Sequence, residues 1–143
     1  MRIVIAPNAF KECLSPAQVS RAIERGVKRA SASAKTVLVP LADGGDGTVE
    51  ALVTATQGRI VEALVSDPLG RSIQARYGIL GNGETAVIEM AEASGLKRIA
   101  SEERNPLITS TRGTGDLVLD AMRNGVRSIV LGIGGSATVD GGT

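Results

Sequence analysis

Thr36-Val37-Leu38-Val39-Pro40-Leu41-Ala42-Asp43-Gly44-Gly45-Asp46-Gly47-Thr48-Val49-Glu50-Ala51-Leu52-Val53 holds the turn from which the fold is read. An apolar run stops at Pro40, and a helix-like segment starts directly after the glycines. Gly44, Gly45 and Gly47 let the backbone take positive φ and approach a ligand closely. The following helix points its N-terminal N–H groups back into the same loop. Asp43 and Asp46 beside such a backbone suit a site that handles phosphate through a metal or deprotonates a hydroxyl. A tight strand-to-helix turn with Asp46 as N-cap is the purely structural alternative.

Outward from this turn, the N-terminal side predicts a strand over Arg2–Ala6 and a helix opened by Ser15-Pro16-Ala17-Gln18. That run combines an N-cap serine, proline at N1 and a reciprocal Gln at N3. Val19, Ala22, Ile23, Gly26, Val27 and Ala30 recur at helical spacing and predict the buried face. Lys35–Val39 is the second strand. Strand, helix, strand and the helix at about 46–56, closed by Gly58, make a βαβα segment over 1–58 with a parallel sheet.

Residues 59–89 change character. Arg59–Val65 and Ser72–Leu80 flank Asp67-Pro68-Leu69-Gly70, a turn with proline at i+1 and glycine at i+3, and Thr85–Glu89 follows another turn. These predict an antiparallel excursion away from the parallel sheet. Residues 90–143 return to α/β: a short helix at 90–96, and a polar loop at 98–111 packing only by Ile99, Leu107 and Ile108. A helix after Gly113-Thr114-Gly115 and a buried strand at 128–133 complete it. The expected class is α/β, a parallel sheet flanked by helices with an antiparallel excursion around residues 59–89. A strand followed by a glycine loop calls for a helix behind it, so the chain reads as cut in mid-motif at Thr143.

Charge and composition exclude several functions. Sixteen basic residues against fifteen acidic ones leave no field favouring nucleic acid or an anionic membrane. Phe10 and Tyr77 are the only aromatics, too few for base stacking. No apolar run approaches the roughly 20 residues of a membrane span, and proline breaks the first apolar run too early for a signal peptide. The lone Cys13 makes no internal disulfide, so a cytoplasmic location is expected. Without histidine, Ser-His and Cys-His nucleophile pairs and His-based zinc sites are excluded within this chain.

The terminal loop Gly132-Ile133-Gly134-Gly135-Ser136-Ala137-Thr138 follows the last strand with small and hydroxyl residues, which lets successive N–H groups face an anion. It is neither a Walker motif nor a Gly-x-Gly-x-x-Gly fingerprint. A strand-end turn is the structural alternative. Asp140 in that loop exceeds what turn chemistry needs, since Gly141 and Gly142 supply the bend; hydroxyl activation or magnesium contact is its functional reading. Lys11 sits where a parallel sheet gathers its ligand loops and suits neutralising a phosphate or carboxylate. Thr114, between glycines at a helix start, and Arg104, beside Asn105-Pro106, are candidates for an anionic substrate. A solvated loop arginine is the alternative for Arg104.

Taken in order, Ala6-Pro7-x-x-Phe10-Lys11-x-x-Leu14-Ser15, Pro40 to Thr48, Glu89-Met90-Ala91-x-Ala93-Ser94-Gly95-Leu96, Asn105-Pro106-Leu107 with Gly113-Thr114-Gly115, and Leu131 to Gly142 resemble the bacterial-type glycerate kinase (glycerate 2-kinase) family. The resemblance covers the whole chain and matches the N-terminal portion of longer family members. Asn8-Ala9 stands where Asp-Ser is frequent, and Val139 where Asn is frequent. The resemblance implies a two-domain enzyme with its site in the cleft. Its implied reaction is ATP- and magnesium-dependent phosphorylation of D-glycerate, giving 2-phosphoglycerate. Asp43 or Asp140 would then deprotonate the attacking hydroxyl while the other holds magnesium. Lys11 would neutralise charge; Gly44, Gly45, Gly134, Gly135, Ser136 and Thr138 would cradle phosphate. A non-catalytic anion- or nucleotide-binding module, or a kinase for another small hydroxy acid, are the alternatives.

Overall fold

A computed structural model describes residues 1–8, 10, 13–39, 41 and 43–141. β1 (Arg2–Ile5) pairs in parallel with β2 (Lys35–Leu38), Arg2 opposite Lys35 and Ile5 opposite Leu38. Between them runs α1 (Pro16–Ala30), opened by the expected capping box: the Gln18 N–H donates to Ser15 Oγ at 3.3 Å and the Ser15 N–H to Gln18 Oε1 at 2.9 Å. Reciprocal pairing of two otherwise orphaned amides fixes this helix start.

The apolar stripe of α1 departs from expectation. Val19 is buried, but Ile23 is 43% exposed, and Ala22, Gly26 and Ala30 are exposed with it. A helical period states that one face is apolar, not what covers it. Two short strands are too narrow a platform to cover about four turns' worth of side chains, and among the described residues no other element does so.

α2 (Thr48–Thr56) follows the first glycine loop, and β3 (Arg59–Ser66), β4 (Ser72–Ile79) and β5 (Thr85–Glu89) form the antiparallel succession the sequence predicts. The turn between β3 and β4 closes with the Gly70 N–H on Asp67 O at 3.0 Å and Gly70 at φ 82°, a conformation costly for any residue with a Cβ. Asp67 locks it from within. Its Oδ1 accepts from the Leu69 and Arg71 N–H groups, both at 2.8 Å, and its Oδ2 pairs with Arg71 Nε at 2.5 Å.

α3 (Ala91–Ser94), short 3₁₀ turns at Leu96–Arg98 and Ser101–Glu103, and α4 (Arg112–Arg123) lead to β6 (Ser128–Gly132). This strand pairs in parallel with β5, making a mixed sheet of order β3-β4-β5-β6. One expectation is corrected: the strand is not buried, since Ile129, Val130 and Leu131 are 37–46% exposed. β6 is the edge strand of its sheet among the described residues, and a run apolar on both faces is covered only where another layer lies on it. Leu107 and Ile108, expected to pin the loop at 98–111, are exposed as well; Ile99 alone of the three is buried.

The core lies on the mixed sheet. On one face Val65, Tyr77, Ile79 and Ile88 pack against Ala93, Leu117 and Ala121; on the other Val87 meets Val49 and Val53 of α2. Gly113 brings α4 onto β3, since a Cβ there would lie 1.8 Å from Ser66 O. No helix of the described chain is long and apolar enough to cross a membrane.

Candidate active site

The loops that follow the parallel strands β1, β2, β5 and β6 all carry polar groups, the side on which parallel sheets bind ligands. Two of them touch directly. The Gly134 N–H donates to Gly44 O at 3.0 Å, joining the loop after β6 to the loop after β2. Glycine is required at this crossing: a Cβ on Gly132 would sit 2.5 Å from Gly44 O, and one on Gly134 2.8 Å from Gly45 Cα.

The first loop is tied from inside. Thr48 Oγ1 accepts from the Gly44 N–H at 3.1 Å and donates to Gly45 O at 2.8 Å. Gly47, at φ 92°, is the N-cap of α2, so Asp46 does not cap it; Asp46 pairs instead with Lys97. Asp43 is exposed. Its Oδ1 accepts from the Gly45 N–H at 3.2 Å and its Oδ2 from the Asn8 side-chain amide at 2.7 Å. An aspartate at position 8 would set a like charge there, so Asn8 converts a repulsion into a positioning bond. Asn8 and Thr48 hold Asp43 and its loop, and neither role is marked by local sequence.

In the second loop, Ser136 Oγ accepts from the Thr138 N–H at 3.1 Å, and the Ala137 N–H donates to Ser94 O at 2.9 Å. The amides of Gly44, Gly45, Gly134 and Thr138 are thus engaged within the protein, and Gly135 takes part through its amide in none of these bonds. Asp140 Oδ2 accepts from the Ser110 hydroxyl at 3.0 Å and from the Thr111 N–H at 2.9 Å, at the start of α4. The Thr111 N–H is the main reason its carboxyl lies below the ordinary range, with Ser110 assisting against burial. Oδ1 is buried.

Thr114 is a packing residue, not a cleft residue: it is 7% exposed, with its hydroxyl 2.8 Å from Ser94 Oγ. The helix start that looked open to an anion is pressed against β3 through Gly113. Arg104 is exposed and lines the main cavity. Lys11 lies outside the described residues.

That cavity, of about 760 Å³, opens between Phe10, Cys13, Leu14 and Ser15, the Asp46–Gly47 end of the first loop and the α3 region. Glu89, the last residue of β5, lies in its wall at 5% exposure. Its Oε1 accepts from the Val49 N–H in the first turn of α2 at 2.7 Å. This supplies by tertiary contact the side-chain cap that Gly47 cannot give. Burial pushes the Glu89 carboxyl above its usual range; the Val49 N–H and Arg76 oppose this, and Glu92 and Asp46 add to it. Sequence gave no sign of this burial, since a glutamate ending a strand ordinarily reads as solvent-facing.

The α/β scaffold gathers its loops at the ends of parallel strands, where such sheets bind ligands, and two of these loops carry aspartate among glycines. The chain belongs to the glycerate kinase family, whose model matches residues 3–143. It is 54% identical over 142 residues to the glycerate 2-kinase of Escherichia coli (strain K12), and 54% identical over the same length to the glycerate kinase of Bacillus subtilis (strain 168). Each alignment covers 99% of this chain and 37% of the relative. A crystal structure described as glycerate kinase 2 from Salmonella typhimurium LT2 superposes with a TM-score of 0.81 at 51% identity, covering all of this chain and 38% of that one. The chain therefore spans a little over a third of the length of the relatives it matches.

Proposed function

We propose that the protein bearing this chain transfers the terminal phosphoryl group of ATP to a hydroxyl of D-glycerate, giving 2-phosphoglycerate. The observation that carries it is the Gly134–Gly44 bond, which holds both aspartate-bearing loops together at the strand ends in a chain of this family. Asp43 is the base. Its carboxylate is exposed, and the Asn8 amide and Gly45 N–H orient it. It accepts the hydroxyl proton as the oxygen bonds to phosphorus and ADP leaves, a role typically contributing about 10²–10⁴-fold.

Asp140 we assign to anchoring, in place of the base or magnesium role. One oxygen is occupied by Ser110 and Thr111, the other is buried, and a carboxyl held acidic is a poor base. Among the described residues no three acidic or cysteine side chains cluster as a metal cage. Magnesium carried by nucleotide phosphates needs only one or two carboxylates, so it does not call for such a cage. The ion would neutralise charge on the phosphates. Gly135, Ser136 and Thr138, with Gly44, Gly45 and Gly134 setting the loop shape, form the phosphate side. The demand for ATP places the reaction in the cytoplasm. Enolase coupling tests the product: 2-phosphoglycerate gives an absorbance rise without a mutase, whereas 3-phosphoglycerate gives none until a mutase is added. A panel of hydroxy acids separates glycerate from other acceptors.

A further inference from the structure

Glu89 stands where the two glycine loops are fastened to the sheet. As the last residue of β5 it lies opposite Gly132 in β6, and the next amide, that of Met90, donates to Gly132 O at 2.9 Å. Gly134, two residues on, makes the crossing bond to Gly44 O. The backbone of Glu89 therefore registers the second loop. Its side chain reaches the first. Oε1 accepts from the Val49 N–H at 2.7 Å, within the range of a charge-assisted bond. Val49 is itself buried and packs on Val87, two residues before Glu89 on the same strand. The adjacent Thr48 hydroxyl holds the Gly44 N–H and Gly45 O, and the Gly45 N–H in turn donates to Asp43 Oδ1. From a buried strand end to exposed Asp43, every link is a hydrogen bond or a single peptide step.

A helix begins with amides that have no partner inside the helix, and an unanchored first turn frays. Gly47 caps α2 without a side chain, so the Val49 amide depends on Glu89. A carboxylate suits that place, because first-turn amides carry the positive end of the helix dipole. Burial raises the Glu89 carboxyl, and the Val49 N–H draws it back. We propose that Glu89 is a positioning residue for phosphoryl transfer: by anchoring the first turn of α2 to β5 it fixes the loop that aims Asp43. This rests on Asp43 acting as the base of the kinase reaction proposed above, and adds the group that holds that base without touching substrate. Asn8 still grips Asp43 Oδ2 at 2.7 Å when Glu89 lets go, so the carboxylate shifts and is not set adrift. The phosphate loop keeps its own bonds, from Ala137 to Ser94 and from Thr138 to Ser136. The loss should therefore fall on turnover more than on binding.

Two substitutions in the full-length protein separate this role from stability alone. Glu89→Met keeps the side chain's length without a carboxylate acceptor, and Glu89→Gln keeps an oxygen for the Val49 N–H. In Glu89→Met, kcat should fall by about thirtyfold to a hundredfold, the order expected when a reacting group is displaced by about 1 Å. KM for glycerate and for ATP should stay within about threefold. Glu89→Gln should recover kcat to within about fivefold of wild type, since a neutral acceptor keeps the bond at reduced strength. Hydrogen exchange gives a readout besides activity. The Val49 and Gly44 amides should be protected in the wild type and in Glu89→Gln, and should exchange at least about tenfold faster in Glu89→Met while the amides of α4 keep their rates. A merely structural cap would lower the melting temperature of Glu89→Met and leave its kcat alone. A group touching substrate would make Glu89→Gln as inactive as Glu89→Met. Should Glu89→Met not fold, Glu89→Asp takes its place: the carboxylate is drawn back by one methylene, and the same losses are expected. The inference is overturned by kcat within about threefold of wild type in the folded variant, by an equal loss in Glu89→Gln, or by an unprotected Val49 amide in the wild type. In each of those cases the kinase activity of the unaltered protein stands. Absence of glycerate-dependent ADP release in the unaltered protein overturns the proposed function, and the positioning role with it.

Discussion

Replacing Gly132 with alanine probes the contact between the two glycine loops. The new Cβ would lie 2.5 Å from Gly44 O and 3.0 Å from Gly44 Cα, both backbone atoms that cannot swing aside. Restoring ordinary van der Waals separation requires the loops to part by roughly 1 Å. At that spacing the 3.0 Å bond from the Gly134 N–H to Gly44 O is lost. Overpacking of this kind costs about 1–3 kcal/mol and a lost hydrogen bond about 1 kcal/mol, together about 2–4 kcal/mol. The displaced segment carries Asp43, and a 1 Å error in a catalytic group costs on the order of a hundredfold in rate. Thermal melting and steady-state ADP release should therefore both fall. Gly26→Ala is the control: that glycine sits within α1 with nothing within 4 Å of an added Cβ, so the change should stabilise by about 0.5–1 kcal/mol and leave turnover intact. Wild-type melting and turnover in Gly132→Ala would refute the close loop contact as the frame of the site.

Asp43→Asn should lower kcat by at least about a hundredfold with ATP binding nearly intact, measured by steady-state kinetics and nucleotide titration; activity within a few-fold of wild type would make Asp43 a turn residue. Asp140→Asn should lower stability at pH 7 but leave the magnesium midpoint unmoved. Its folded pKa is depressed, so its contribution is present above the unfolded value of 3.8 and is lost as pH falls through the lower folded value. A several-fold shift of the magnesium midpoint would instead make Asp140 a metal ligand. Asp67 behaves with the same sign. Burial alone would raise its carboxyl, but the Arg71 side chain and the Arg71 and Leu69 N–H groups outweigh it and hold it below 3.8. The stability difference between wild type and Asp67→Asn, followed by denaturant melts, should be largest near neutrality and shrink as pH falls from 3.8 through the lowered folded value.

Features fixed within a few residues were legible in the sequence. The Ser15–Gln18 capping box and the Asp67–Gly70 turn follow from local hydrogen bonding and backbone freedom. Features set by distant partners were not. The pairing of β6 with β5 is a register between segments some 40 residues apart, and an apolar run does not say which neighbour it takes. The stripe on α1 was correctly periodic, yet what covers a face is a tertiary fact. The glycine loops were recognisable as special, but the reason the structure shows for Gly132 and Gly134 is backbone crossing backbone. Glu89 and Thr114 exchange expected roles for the same reason: burial at the meeting of β5 and α2 makes the first a cleft carboxylate, and packing of α4 on β3 removes the second to the core.

The most direct measurement is ADP release by the full-length protein with D-glycerate, ATP and magnesium, against the same mixture lacking glycerate. Glycerate-dependent release, matched mole for mole by 2-phosphoglycerate and reduced a hundredfold by Asp43→Asn, is the expected result. A folded protein that binds ATP yet releases no ADP in response to glycerate or any related hydroxy acid would contradict it.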